Sequence, residues 1–144
     1  MIVQDIYLEE YTWFIRVYYA VDQYYISNIL IDLTDMNCDK DAFFRIKSLM
    51  EMHKKNIGFT YSNIEEHCTL VLIGVTDDAE EFQSTYDHEK GHVVMHISRA
   101  LGIEPYGEEC QYLAGEVGKQ MFKEAKKLMC DNCRRLISNY CIGE

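Results

Sequence analysis

The chain has 144 residues, with 24 acidic residues against 14 lysines and arginines, a formal charge of −10. That length fits one domain, residues 1–144, and an apolar share of 48% with a single proline excludes disordered, collagen-like and low-complexity chains. The acidic balance argues against sequence-independent nucleic-acid binding, no apolar run approaches the ~18 residues of a membrane span, and the acids in Met1–Tyr11 oppose a signal peptide. A soluble cytoplasmic domain is expected, with neither nucleic acid nor membrane as partner.

The first half reads as sheet. Ile2–Leu8 is a candidate strand, and Thr12–Val21 and Tyr24–Leu33 are rich in β-branched and aromatic residues on either side of Asp22-Gln23. Two such runs with two residues between them predict a hairpin, hence an N-terminal antiparallel sheet. Asp39 or Asp41 can then cap a helix. Within it Phe43, Phe44, Ile46, Leu49, Met50 and His53 recur at near-helical spacing, and Lys54-Lys55 suit a C-terminus near Asn56. Gly58 breaks that pattern, Phe59–Asn63 reads as a short extended or loop segment, and His67–Val75 as a buried strand.

The second half reads as helix. Asp77-Asp78, with Glu80 and Glu81 in the first turn, starts a helix over Ala79–Leu101, which Gly102 and Pro105 end. A second helix follows Gly107 and runs to about Met129, and Asp131–Tyr140 is expected to add a short terminal one. The order of elements makes the fold class α+β.

The long helix carries His88-Glu89-Lys90-Gly91-His92, an H-E-x-x-H. Composition alone would produce that pattern only about 0.02 times in such a chain, so the motif is specific. Four residues on a helix amount to ~6 Å of rise and ~40° of rotation, so both imidazoles lean toward one point and can share a tetrahedral Zn²⁺. Glu89, ~100° round from His88, is suited to gripping a water beside the metal. Gly91 costs a helix about 1 kcal/mol relative to Ala, which suggests close packing or substrate approach there.

A catalytic zinc needs a third protein ligand and an open position. His96, Glu104, Glu108, Glu109 and Glu116 are the candidates. His96 continues the histidine stripe but lies ~12 Å along the axis from His88, which suits a cleft wall or a hydrogen-bonded position better than the same ion. Gly102–Gly107 can reach ~20 Å, enough to bring Glu108 or Glu109 back to the histidine pair. Acids favoured by a helix N-terminus explain either glutamate about as well. Glu116 is expected to be exposed.

His88–His92 on a helix, followed by a glutamate-bearing helix in Gly107–Gly115, resembles the zincin metallopeptidases, and among these the small gluzincins. Asn56–Ser62, Thr85–Ile97 and Glu108–Gly115 resemble more closely a family of short metallopeptidases from Bacteroides-type bacteria and their phages or mobile elements. The resemblance covers most of residues 56–129 and implies a minimal zincin-like domain that hydrolyses peptide bonds in a peptide or protein substrate. It implies zinc held by His88, His92 and Glu108 (preferred to Glu109 because an acid stands four residues before Tyr112), with Glu89 as general base. Tyr86, His96 and Tyr112 are the candidate donors to a tetrahedral oxyanion. An extended substrate is expected to pair with His67–Val75 or the Thr12–Leu33 hairpin.

The alternative is a non-catalytic zinc-stabilised binding or regulatory module of phage or mobile-element origin. Protein groups would then close the coordination sphere, through Glu108 with Glu109 or through Cys110. Without a secretory signal the six cysteines read as reduced thiols. Cys130, Cys133 and Cys141 form a further metal set that lacks a second CxxC or CxxH.

Overall fold

Ile2–Leu8 (β1) and Trp13–Val21 (β2) pair antiparallel in the computed structural model, which describes residues 1–22, 25–52 and 54–130. Asp5 opposes Arg16 in the register, and the Arg16 Nε donates to Asp5 Oδ1 at 2.7 Å. A single 3-10 turn, Glu9–Tyr11, makes the reversal and closes at Thr12 with φ 51. Along β2, Trp13, Ile15, Val17 and Tyr19 enter one core and Tyr18 enters the other. A bulge at Ala20 (φ 56) then resets the alternation, which brings Val21 to the Tyr18 side.

The segment expected as the hairpin's second strand is a helix instead, Ile26–Asp35 (α1). Ile26, Ile29, Leu30 and Leu33 follow the i, i+3, i+4, i+7 spacing of one helix face, and that period outweighs the β-propensity of the isoleucines. Ile29 and Leu33 are fully buried, whereas Ile31, which a strand would have turned to the same side as Ile29, is 59% exposed. The hairpin across Asp22-Gln23 is therefore absent, and the sheet is not purely antiparallel.

Lys40–Glu51 forms α2, capped by Asp39, whose Oδ1 accepts from the Ala42 N–H at 2.7 Å. Asp39→Ala is expected to cost about 1 kcal/mol, read as a lower urea midpoint at unchanged slope. The helix ends at Glu51 rather than near Asn56, and Lys55 pairs with Asp77 at 3.4 Å instead of capping it. His53 lies outside the described residues.

Gly58–Asn63 (β3) and Cys68–Gly74 (β4) complete a four-stranded mixed sheet of order β1-β2-β4-β3, in which β2 and β4 run parallel. Every residue of β4 is buried, as befits an interior strand covered on both faces. α1 and α2 cover one face, where Ile29, Leu33, Ile46 and Met50 join Leu70 and Leu72. Ala79–Leu101 (α3) and Glu108–Ala125 (α4) cover the other, over Val71 and Ile73. The protein is α+β, a mixed sheet between two helical layers.

α3 has the bounds its sequence predicts. Asp78 Oδ1 accepts from the Glu81 N–H at 2.8 Å, and Gly102 closes the helix at φ 67. α4 stops at Ala125 and continues as a 3-10 turn, Lys126–Leu128, while the helix expected over Asp131–Tyr140 lies outside the described residues. Among the described residues no helix is long and apolar enough to cross a membrane.

Candidate metal centre

Successive turns of α3 bring His88, Glu89 and His92 together, with one ligand atom from each lying within 4.8 Å of the others. The two Nε2 atoms stand 3.1 Å apart. Nitrogens bound at ~2.0–2.1 Å to one tetrahedral zinc are separated by about 3.3–3.4 Å, so small ring movements would admit an ion between them. His88 is exposed and His92 half-buried, which leaves the pair open on the solvent side.

Glu89 is only 4% exposed. Its position round the helix turns it inward to β3, where Thr60 Oγ1 donates to Glu89 Oε2 at 2.6 Å. Oε1 lies against Gly58 and 3.9 Å from His88 Nε2. β3 can pass this close because residue 58 is glycine: a Cβ there would stand 2.8 Å from both Glu89 Cγ and Oε1. A buried carboxylate is costly unless partnered. Thr60 serves one oxygen, and a cation at the histidine pair would offset the charge near the other.

His96 lies beyond this group, its ring centroid 6.0 Å from that of His92. The Trp13 indole N–H donates to Thr69 Oγ1 at 2.8 Å, Thr69 and Ser62 hydroxyls are 2.7 Å apart, and Ser62 Oγ is 2.8 Å from His96 Nδ1. The Ser62 hydroxyl thus links His96 Nδ1 to the Thr69 hydroxyl, which accepts from the buried indole. Burial lowers the pKa of His96, helped by the neighbouring His92 and Arg99, which favours the neutral ring.

The other candidates are elsewhere. Tyr86 is buried between α3 and α4, its hydroxyl donates to the Gly118 carbonyl at 3.2 Å, and burial, then the Asp87 charge, push its pKa up to about 12. Tyr112 is exposed on α4. α4 does return along α3, but against the flank of Tyr86, Lys90 and Ser98: Ser98 Oγ lies 3.6 Å from Cys110 Sγ, and Lys90 Cδ 3.6 Å from where a Gly118 Cβ would be. Lys90 is ~200° round from His88, so α4 occupies the far side of the helix. Glu104, Glu108 and Glu109 are exposed and, like half-buried Glu116, stand outside the His88–Glu89–His92 group. Cys110 is buried against Ser98. Gly91 meets no close packing, since a Cβ there would have nothing within 4 Å.

Gly58, Thr60 and Ser62 are the site residues that motif reading missed. Their signal is the period of two, which in a strand places all three on one face. Among the described residues Cys130 is exposed, and Cys133 and Cys141 lie outside them.

The fold and site together define an α+β protein with two histidines and a buried carboxylate presented by one helix beside a sheet edge. No family model, no curated protein and no solved structure matches the chain.

Proposed function

We propose that the protein is a zinc-dependent hydrolase of peptide bonds, with His88 and His92 as metal ligands and Glu89 as general base. The observation that carries this reading is the 3.1 Å separation of two Nε2 atoms beside a buried carboxylate oxygen that faces them. Zinc held there would lower the pKa of a coordinated water toward ~7 and polarise the scissile carbonyl. Glu89 Oε1 accepts the proton of the attacking water and returns it to the leaving amine, while Thr60 and Gly58 hold the carboxylate still. Of Tyr86, His96 and Tyr112, His96 is the best placed to donate to the oxyanion, since its ring stands next to that of His92 on α3.

β4 is paired on both sides and the Thr12–Leu33 hairpin does not exist, so neither offers an edge to a substrate. β3 ends the sheet beside α3, and the substrate chain is assigned to that edge. Glu108 and Glu109 take no part in this proposal, because α4 carries them on the opposite flank. The same packing counts against a closed, non-catalytic zinc module, which would need those glutamates or Cys110 at the metal.

Purified protein should contain about one zinc per chain, and His92→Ala should lose it, both read by elemental analysis. Bound metal also stabilises the fold, by about 2.7 kcal/mol when free zinc is a hundredfold above its Kd, so a chelator should lower the Tm of the wild type and not of His92→Ala. A wild-type protein that binds no zinc on addition overturns the proposal.

A further inference from the structure

A groove of about 910 Å³ runs between the turn after β1 and α4, along the β1 edge of the sheet. The metal centre lies by β3, at the opposite edge. Glu9, Glu10, Glu109 and Glu116 line the groove, and among the described residues no lysine, arginine or histidine does. Four carboxylates without a cation between them attract positive charge, yet no three converge within the 4.8 Å that a metal ion would need. Their spacing suits a larger, organic cation.

Tyr11 supplies the second observation. It is 9% exposed, its phenol lines the groove, and its hydroxyl makes no hydrogen bond to any described residue. Burial raises its pKa, followed by the charges of Glu10, Glu109 and Glu116. No buried polar side-chain atom among the described residues lacks a partner, so the unbonded Tyr11 hydroxyl is the accessible end of an otherwise buried side chain and opens on the groove that Tyr11 lines. Tyr7 and Tyr112 flank the groove as exposed rings, whose faces suit a guanidinium. Exposed aromatics of this kind are common anchors of protein interfaces.

We infer that this groove is a docking site for an arginine-bearing segment of a partner protein, with the glutamates pairing the guanidinium groups, Tyr11 accepting a hydrogen bond and Tyr7 and Tyr112 stacking. The inference does not depend on metal binding or hydrolysis, since no groove residue touches the histidine pair.

The test uses a fluorescein-labelled peptide of alternating arginine and glycine, followed by anisotropy against the full chain, with a glutamate-for-arginine peptide as control. Saturable binding of the arginine peptide alone is expected. Glu9→Gln combined with Glu109→Gln should weaken it about tenfold or more, and Tyr112→Ala severalfold. Glu80→Gln with Glu81→Gln removes the same charge at the exposed start of α3 and should change affinity less than about twofold. His92→Ala should bind as the wild type does. Equal weakening by the Glu80/Glu81 pair would reduce the effect to net charge and overturn the inference, as would indifference to the Glu9/Glu109 pair. Spermidine bound as tightly as the peptide would make the ligand a free polyamine. A dimer in sedimentation that the Glu9/Glu109 pair dissolves would assign the groove to a second copy. Either result overturns the partner-segment reading.

Discussion

Glu89→Gln is expected to keep its zinc and to lower peptide hydrolysis by about 10²–10⁴-fold, the usual worth of a positioned general base. The amide is nearly isosteric with the carboxylate, so Thr60 can still donate to the side-chain oxygen and the buried pocket stays filled. What disappears is the ability of the atom facing His88 to take a proton. Zinc content by elemental analysis, paired with turnover of a quenched-fluorescence peptide library, separates the two effects. A variant as active as the wild type would show that Glu89 is not the base, while leaving the histidine pair as the metal site.

Gly58→Ala should damage the same step from the other side. The added Cβ would lie 2.8 Å from Glu89 Cγ and Oε1, closer than van der Waals contact allows, and the carboxylate is the atom group free to yield. Pushed off the Thr60 hydroxyl, it loses the orientation that aims Oε1 at the histidines. Misplacement on the order of 1 Å can cost about 10²-fold in rate. The three atoms nearest the added Cβ all belong to Glu89, so zinc content should be unchanged and the Tm nearly so. Wild-type turnover in Gly58→Ala would mean that the carboxylate can relax without consequence, and that its close fit against β3 is packing alone.

These tests concern residues that were unequally legible in the sequence. The bounds of α3 could be read directly because Asp78 and Gly102 are local signals, each satisfied by its own neighbours. The histidine pair was legible for the same reason, as helical spacing alone converges the two rings. α1 was not, since its β-branched and aromatic composition competes with the helical spacing of Ile26, Ile29, Leu30 and Leu33. The partner of β2 was hidden for another reason: pairing with β4 is a long-range choice that no local run records. The unbroken apolar run of β4 did indicate a buried strand, and every residue of it is buried.

Glu108 shows the limit most clearly. Loop length sets how far a chain can travel and says nothing of which flank it returns to. That choice was made by the packing of Tyr86, Lys90 and Ser98 against Cys110 and Gly118. The support under Glu89 was equally out of reach, because Gly58 and Thr60 meet it only once β3 lies against α3.

The parallel pairing of β2 with β4 has a consequence for the order of folding. β1 and β2 can zip together as soon as they emerge from the ribosome, while β3 and β4 form a separate local hairpin later. Until the two halves dock, β2 shows an unpaired edge together with Trp13, Ile15, Val17 and Tyr19, side chains that the finished protein buries. Closing so long a loop is slow compared with forming either hairpin. The nascent chain is therefore most prone to aggregate in the interval before β4 arrives, and the His88–Glu89–His92 group, which lies on α3 beyond β4, has not yet emerged at that stage.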